Sequence, residues 1–239
     1  MGQENATDGA LCGLLASIAT RNDATCQADW LGHALAGSPE RRVFLTYYAG
    51  VGRRFARMQP VFSFGDAEAL RRAGIAVPEA WSATDFARAA LLLWMLRSAS
   101  PAEAPVLVHE IYRTGDSGER QAVLRSLLLL PGPERFLATA VEACRTSVQD
   151  VFDAIALDNA YPARFFPEPN FNQMVLKALF TNRPLARVIG LDARRNARLV
   201  QMAKDYASER RAAGRKVPED IALVALAGAP ADRKQGAEP

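Results

Sequence analysis

The residues best able to do chemistry are concentrated in one stretch, from Tyr161 to Lys177. Asn170 has the character of a helix N-cap, and Gln173 stands three residues later as a capping-box partner, which predicts a helix that begins there. The free N–H groups and the dipole of such a helix start favour carboxylate or phosphate. Lys177, four residues after Gln173, falls on the same face one turn further on. The stretch therefore predicts a surface that binds an anionic group.

A second group of chemically capable residues follows in the basic segment 183–216. This segment carries a net charge of +7, against +3 for the whole chain. Arginine binds carboxylate or phosphate through two parallel hydrogen bonds, so the segment favours anionic partners. We expect its main helix to run from 193 to 213, with Asp192 as the N-cap and Gly214 at the end. The alternative interpretation is a charged helix face that only contacts water.

We expect these two groups to fold back on each other and to turn their polar ends toward one pocket. Seven polar residues are predicted to line it, and three aromatic residues to form its walls: Arg164, Asn172, Gln173, Lys177, Arg187, Arg194 and Arg210, with Tyr161, Phe165 and Tyr206. Aromatic walls suit a flat or apolar ligand. The alternative is structural, with the rings in the core and the amides tying a buried loop to its helix.

An enzymatic function has little support in the sequence. The two histidines, His33 and His109, belong to separate predicted helices, and no metal-binding spacing accompanies them. The phosphate-binding, dinucleotide-binding and serine-hydrolase motifs are absent from the sequence. We assign no catalytic residue, no metal and no cofactor. Acid–base catalysis by Asp205 or Glu209 with Tyr206 stays open as an alternative.

The composition also limits the partners and the compartment. The net charge is small and no helix-turn-helix pattern carries a basic recognition face, so we expect no nucleic-acid partner. The longest apolar run, 89–96, is too short to cross a bilayer, and the amino terminus lacks a signal-peptide pattern. Three cysteines without paired spacing indicate neither a disulfide framework nor a zinc site. We therefore expect a cytoplasmic protein without a transmembrane segment, for which peripheral contact with a membrane partner stays open.

Helix signals recur along the whole chain. Serine at 38 and 100 and aspartate at 116 are predicted caps, and helices are expected near 101–113 and 118–130. Short amphipathic helices centred about fifteen residues apart follow, in the manner of stacked helix pairs. The predicted class is all-α, an irregular stacked helical array that resembles a HEAT-like α–α superhelix. No sheet is expected.

We predict one all-helical domain over residues 1–239. Its alternative subdivision is an N-terminal helical group at 8–58, a connector at 59–82 and a helical array at 83–228, with a disordered tail at 229–239. The connector is rich in glycine and proline and contains one short helical pattern, Asp66 to Ala73. A second interruption, 158–169, contains three prolines within eight residues.

Two strings in the last third carry a family resemblance. Residues 164–177, RFFPEPNFNQMVLK, and 205–215, DYASERRAAGR, resemble the EboA family over roughly residues 159–224. The resemblance implies a noncatalytic, soluble component of small-metabolite trafficking or export. It implies a metabolite of aromatic or prenylated type, or a partner protein of the same pathway, as the bound species. A helical adaptor for membrane or barrel-type partner proteins is the alternative role.

Overall fold

The computed structural model of the protein describes residues 2–22, 26–56 and 58–225, and in those ranges every regular element is helical. The α-helices are α1 (Gly2–Thr20), α2 (Cys26–Ala36), α3 (Arg41–Phe55), α4 (Asp66–Ala73), α5 (Ala83–Leu96), α6 (Glu103–Thr114), α7 (Ser117–Ser126), α8 (Leu137–Ala143), α9 (Gln149–Ala156), α10 (Tyr161–Phe165), α11 (Glu168–Phe180), α12 (Leu191–Arg194), α13 (Ala197–Ala212) and α14 (Ala222–Ala225). Short 3-10 turns at Pro78–Ala80, Pro133–Phe136, Leu185–Arg187 and Glu219–Ile221 connect them. The predicted all-α class is confirmed, and the HEAT-like arrangement stays a prediction.

Helix α5 is the centre of the core. Every residue of α5 except Thr84 is buried, so the helix has no solvent face. A helix that is apolar on all sides must be covered on all sides, and α1, α3 and α7 pack against it. The apolar run at 89–96 is thus part of a core helix. Within the described ranges, no helix is long and apolar enough to span a bilayer.

The later helices continue the same core toward the carboxyl end. Helix α9 packs on α7, α8, α10 and α11, while α13 packs on α11 and α14. Buried apolar residues form one cluster that extends from Cys12 to Val224 and includes Leu70, Ile75 and Trp81 of the connector. The connector is therefore fixed to the body of the molecule by its own apolar side chains.

Several predicted helix starts are present. The Glu119 N–H donates to Asp116 Oδ1 at 2.8 Å and the Asp116 N–H to Glu119 Oε2 at 3.0 Å, which is the predicted capping box. Helix α7 then ends at Ser126 and not at 130. The connector helix α4 has its predicted bounds, and it ends at Gly74, whose φ of 115° favours glycine.

Two predicted starts in the last third are wrong. Helix α11 begins at Glu168 and not after Asn170, because Pro169 lies in its first turn, where the missing N–H costs nothing. The predicted helix 193–213 is split by extended backbone at Arg195. Its long part, α13, is capped by Asn196, whose side chain accepts from the Leu199 N–H at 2.9 Å. The serine at 38 also does not cap its helix, because α3 begins after Glu40.

Candidate functional site

The chain turns sharply between α9 and α10, and Asn159 fixes this bend. Its buried amide donates to the carbonyl oxygens of Leu124 at 3.1 Å and Ala154 at 2.9 Å. Its oxygen accepts from the Tyr161 N–H at 2.9 Å. Tyr161 itself is fully buried and donates its hydroxyl to the Pro133 carbonyl at 2.8 Å, and burial raises the pKa of this phenol. Tyr161 is therefore a core residue and not the wall of an open pocket.

The side chain of Arg194 caps the carboxyl end of helix α10. Its guanidinium donates to the carbonyl oxygens of Ala163 at 2.8 Å, Phe166 at 2.6 Å and Pro162 at 3.3 Å. It also lies over the Phe171 ring, 4.8 Å from the centroid. The Pro162 carbonyl also accepts from the Phe166 N–H at 3.1 Å. The carbonyls of Ala163 and Phe166 lie at the helix end, where carbonyls lack an intrahelical partner, so Arg194 supplies their donors.

The two predicted elements, the bend and the basic helix, do lie against each other. Buried Asn172 of α11 and the cap Asn196 exchange amide hydrogen bonds of 3.0 and 3.2 Å. Together with Arg194, this pair joins the two stretches. Their polar groups, however, bind one another and the backbone.

Lys177 has the same role at the end of α8. Its ammonium group donates to the carbonyl oxygens of Cys144 at 2.7 Å and Thr146 at 2.5 Å. It lies 4.5 Å from the centre of the Phe152 ring, and partial burial lowers its pKa. Arg210 is likewise bound to a backbone carbonyl, that of Lys216, at 2.7 and 3.0 Å.

The remaining predicted residues are dispersed. Arg164 and Gln173 are exposed, while Phe165 is half-buried against the ring of Tyr161. Tyr206 packs its ring on Phe180, 4.5 Å away. Arg187 lies apart from these residues, at the edge of another cleft. The ten residues thus do not surround one common pocket, and their binding of a ligand stays a prediction.

The residues of the acid–base alternative are also accounted for. Asp205 accepts a hydrogen bond from Gln201 one turn earlier, at 2.7 Å, and Glu209 is exposed. Neither carboxylate faces a described cavity with Tyr206. Across the part of the chain that the structure describes, no cluster of three or more histidine, cysteine or carboxylate side chains is arranged to hold a metal ion.

A different cleft lies where the two interruptions of the helical sequence meet. We call it the connector cleft. It has a volume of about 200 Å³ and is lined by Gly74, Ile75, Ala76, Ala80 and Trp81 of the connector, Gln121 and Arg125 of α7, Asp150 and Asp153 of α9, Leu157, Asp158, Asn159 and Ala160 of the bend, and Arg187. Residues from both 59–82 and 158–169 therefore contribute to one site.

The floor of the connector cleft contains an ion pair. Arg125 Nη1 lies 2.7 Å from Asp85 Oδ2, and the Asp85 side chain is only 5% exposed. The same carboxylate oxygen accepts from the Ser82 N–H at 2.9 Å and the Ser82 hydroxyl at 2.7 Å. Three donors thus share Asp85 Oδ2, whereas the other guanidinium nitrogens of Arg125 bind no group in the described ranges. Arg125 thus has donors left for a ligand.

The rim of the connector cleft is formed by Asp158 and Arg187. The Asp158 carboxylate accepts from Arg187 Nε at 2.9 Å and also from Nη2, which raises the pKa of the guanidinium. Asp158 has a φ of 54°, a left-handed conformation that is uncommon outside glycine. A backbone hydrogen bond from the Asp158 N–H to the Arg187 carbonyl, at 2.8 Å, holds this conformation.

Helix α9 forms an acidic wall. Asp153 accepts from Gln149 at 2.8 Å and faces Arg183 at 3.4 Å. Asp150 is exposed, and over the described residues its carboxylate forms neither a hydrogen bond nor an ion pair. The cleft therefore presents a cationic floor and an anionic wall, each with capacity for further hydrogen bonds.

Sequence reasoning identified Arg187 but missed Arg125 and Asp150. The available signal was the pair of interruptions at 59–82 and 158–169, which mark where the helical array leaves room for a cleft. Arg125 lies on an amphipathic helix and has the sequence pattern of a solvent-facing residue. Its partner, Asp85, is forty positions away and is not revealed by helical periodicity.

A family model matches most of the chain. The family model described as "Metabolite traffic protein EboA" matches residues 13–225. The chain belongs to the EboA family. This match is much longer than the resemblance at 159–224, and it includes every residue of the connector cleft. No curated protein and no solved structure matches the chain.

Proposed function

We propose that this EboA-family protein is a noncatalytic component of small-metabolite traffic that binds a polar metabolite in the connector cleft. The family match supports the process. The observation that carries the site is the unequal use of charged groups. Lys177 and Arg194 are bound to backbone carbonyls, whereas Arg125 and Asp150 of the cleft keep hydrogen-bonding capacity.

The lining indicates the class of metabolite. Arg125 offers planar donors that suit a carboxylate or phosphate group. Asp150 offers acceptors for a hydroxyl or ammonium group, and Trp81 adds an apolar wall. A volume of about 200 Å³ fits a small molecule. We infer a compact ligand that carries an acidic group together with hydroxyl or amino groups.

The same lining favours binding over catalysis. The connector cleft contains no histidine, cysteine, serine, tyrosine or lysine among its described lining residues. Those residue types supply most nucleophiles and proton-transfer groups of enzymes. The aspartates are the lining groups that can act as acid or base, and two of the three, Asp153 and Asp158, are paired with arginine. We infer that the arginine, aspartate and amide groups of the cleft hold a polar ligand by hydrogen bonds.

The test is to recover the bound compound from the protein. Wild type, Arg187→Gln and Asp150→Asn would be purified from cells that contain the pathway, and the compounds released on denaturation would be quantified by mass spectrometry. We expect each variant to retain about tenfold less compound than wild type. Arg187 Nη1 and the Asp150 carboxylate bind no group in the described residues, so each can provide one charged hydrogen bond to the ligand. Arg198→Gln on the exposed face of α13 is the matched control and should keep it.

Two outcomes would contradict the proposal. Equal amounts of compound on all four proteins would show that the connector cleft is not the site. Conversion of the recovered compound to a product of different mass, on incubation with the protein, would favour the enzymatic alternative. Loss from both cleft variants, together with an unchanged compound after incubation, supports binding without catalysis.

A further inference from the structure

A second concave surface lies between α6 and α8. We call it the α6–α8 groove. Its volume is about 580 Å³, and it is lined by Pro105, Val106, His109, Glu110, Arg113 and Thr114 of α6, Arg135 of the 3-10 turn, and Ala138 and Thr139 of α8. It shares no residue with the connector cleft. Val106 is 67% exposed, although burial of a valine side chain stabilises a protein.

The two walls of the groove are held together across its floor. His109 Nδ1 lies 3.1 Å from Thr139 Oγ1, and His109 Nε2 lies 3.6 Å from a Glu142 oxygen. Glu110 forms an ion pair with Arg41 of α3. These links connect α3, α6 and α8, so the groove has a fixed shape before anything binds to it.

The rim of the groove is basic. Arg113 is exposed, and its side chain makes no ion pair within the ranges that the structure describes. Arg135 is 41% exposed and faces only its neighbour Glu134, at 3.9 Å. Glu110, the one acid among the described lining residues, pairs with Arg41, while Glu142 beside the groove faces His109 at 3.6 Å. Arg113 is therefore available to pair with negative charge, and Arg135 is held only by its long ion pair to Glu134.

The basic and apolar surface continues onto α3. Arg41, Arg42, Leu45 and Thr46 line a shallow depression there, and the Arg41–Glu110 pair joins α3 to α6. Leu45 is 41% exposed. Exposed apolar side chains rimmed by charge are typical of surfaces that bind another protein.

We propose that the α6–α8 groove is the docking site for an acidic amphipathic helix of a partner protein. A groove between two helices accepts a third helix, whose apolar side chains at every third or fourth position would cover Val106. The described residues contain no strand edge to which an extended peptide could pair. Arg113, which makes no ion pair in the described ranges, and Arg135, whose only ion pair is the long one to Glu134, favour an acidic helix over a basic one.

The test uses two labelled peptides and fluorescence anisotropy. Each has about fourteen residues, or four helical turns, with leucine at helical spacing. One carries glutamate at the other positions and the second carries lysine. We expect the acidic peptide to bind wild type at least about tenfold more tightly than the basic one. Val106→Glu and Arg113→Glu should each weaken acidic-peptide binding by about tenfold.

Leu223→Glu is the matched control, because Leu223 is an exposed apolar residue on α14, at 40% exposure. It should bind the acidic peptide like wild type. Circular dichroism would verify that Val106→Glu is folded. Retention of the metabolite by Val106→Glu would show that the groove and the connector cleft act separately.

Other results would overturn the proposal. Equal binding of both peptides, or no binding of the acidic one, would show that the arginines of the groove do not select an acidic helix. Unchanged binding by Val106→Glu would show that the peptide binds elsewhere. Binding to vesicles of phosphatidylserine and phosphatidylcholine that is lost in Val106→Glu would identify a membrane surface instead. Self-association of wild type that is lost in Val106→Glu would identify a second copy of the chain.

Discussion

Helices α10–α13 and the connector cleft contain similar charged residues, but these residues bind different partners in the two regions. In the first region, Arg194 and Lys177 donate to backbone carbonyls at helix ends. In the second, Arg125 uses one nitrogen on Asp85 and keeps the others for the cleft. Density of charge in a sequence therefore does not locate a binding site. What distinguishes a site is charge that the fold leaves without a full set of partners.

The largest expected effect is that of Arg194→Met. This variant removes the donor for the carbonyls of Ala163 and Phe166. We expect a loss of about 3 kcal/mol in the free energy of unfolding, because buried acceptors lose a charged donor. Denaturant titration would measure it. A loss below about 0.5 kcal/mol would show that the hydrogen bonds of Arg194 do not stabilise the fold.

Lys177→Met and Arg164→Ala form the next test, because both positions belong to the predicted ligand set. Lys177 holds the carbonyls of Cys144 and Thr146, so its loss should cost about 2 kcal/mol. Arg164 is exposed, so its replacement should change stability by less than about 0.5 kcal/mol. Thermal unfolding of both variants checks this. Equal stability of the two variants would show that Lys177 stabilises the fold no more than the exposed Arg164 does.

Asp66→Asn tests how firmly the connector is held to α1. Burial acts to raise the pKa of Asp66, but hydrogen bonds from the Ser63 N–H and from Arg21, together with the charge of Arg21, outweigh it and lower the pKa. A lowered pKa means that the contribution is complete above the unfolded value of 3.8 and is lost as pH falls below it. We expect wild type to exceed Asp66→Asn by about 1 kcal/mol at pH 7.

The difference between wild type and Asp66→Asn should shrink as the pH is lowered through the folded pKa of Asp66. Urea titrations at pH 7, 4 and 3 would measure it. A constant difference at all three values would mean that the Asp66 carboxylate does not carry the interaction.

A small effect on stability is also expected for Arg187→Gln. The Arg187 side chain is 53% exposed, and exposed ion pairs contribute less than about 1 kcal/mol. The same variant is expected to lose the bound metabolite, so binding and stability would separate at this position. Calorimetric unfolding beside the retention assay provides both values. A large loss of stability would show that Arg187 stabilises the fold, as Arg194 and Lys177 are expected to do.

The sequence was sufficient to predict the fold class and the bounds of some helices. The capping pair Asp116 and Glu119 and the helix Asp66–Ala73 depend on local signals and are present as predicted. The start of α11 was misread because proline is compatible with a first helical turn as well as with a break. Asp192 and Asn196 are both good caps, and only tertiary contacts with Asn172 favour the second.

The site was harder to predict than the fold for a physical reason. Arg194 and its acceptor Ala163 are 31 positions apart, and Arg125 and Asp85 are 40 apart. Helical periodicity assigns a side chain to a face, but it does not show which group of another helix lies opposite. Whether an arginine is satisfied or available is decided by those distant groups.

The burial of α5 on all sides has a consequence for the synthesis of the chain. Helices α1 and α3 emerge from the ribosome before the helix on which they pack. Until Leu96 has been added, the apolar faces of α1 and α3 that pack on α5 lack this partner, although α2 packs on both helices. A fragment that stops before Ala83 should aggregate when it is expressed alone, and nascent chains should resist protease only after α5 has left the exit tunnel.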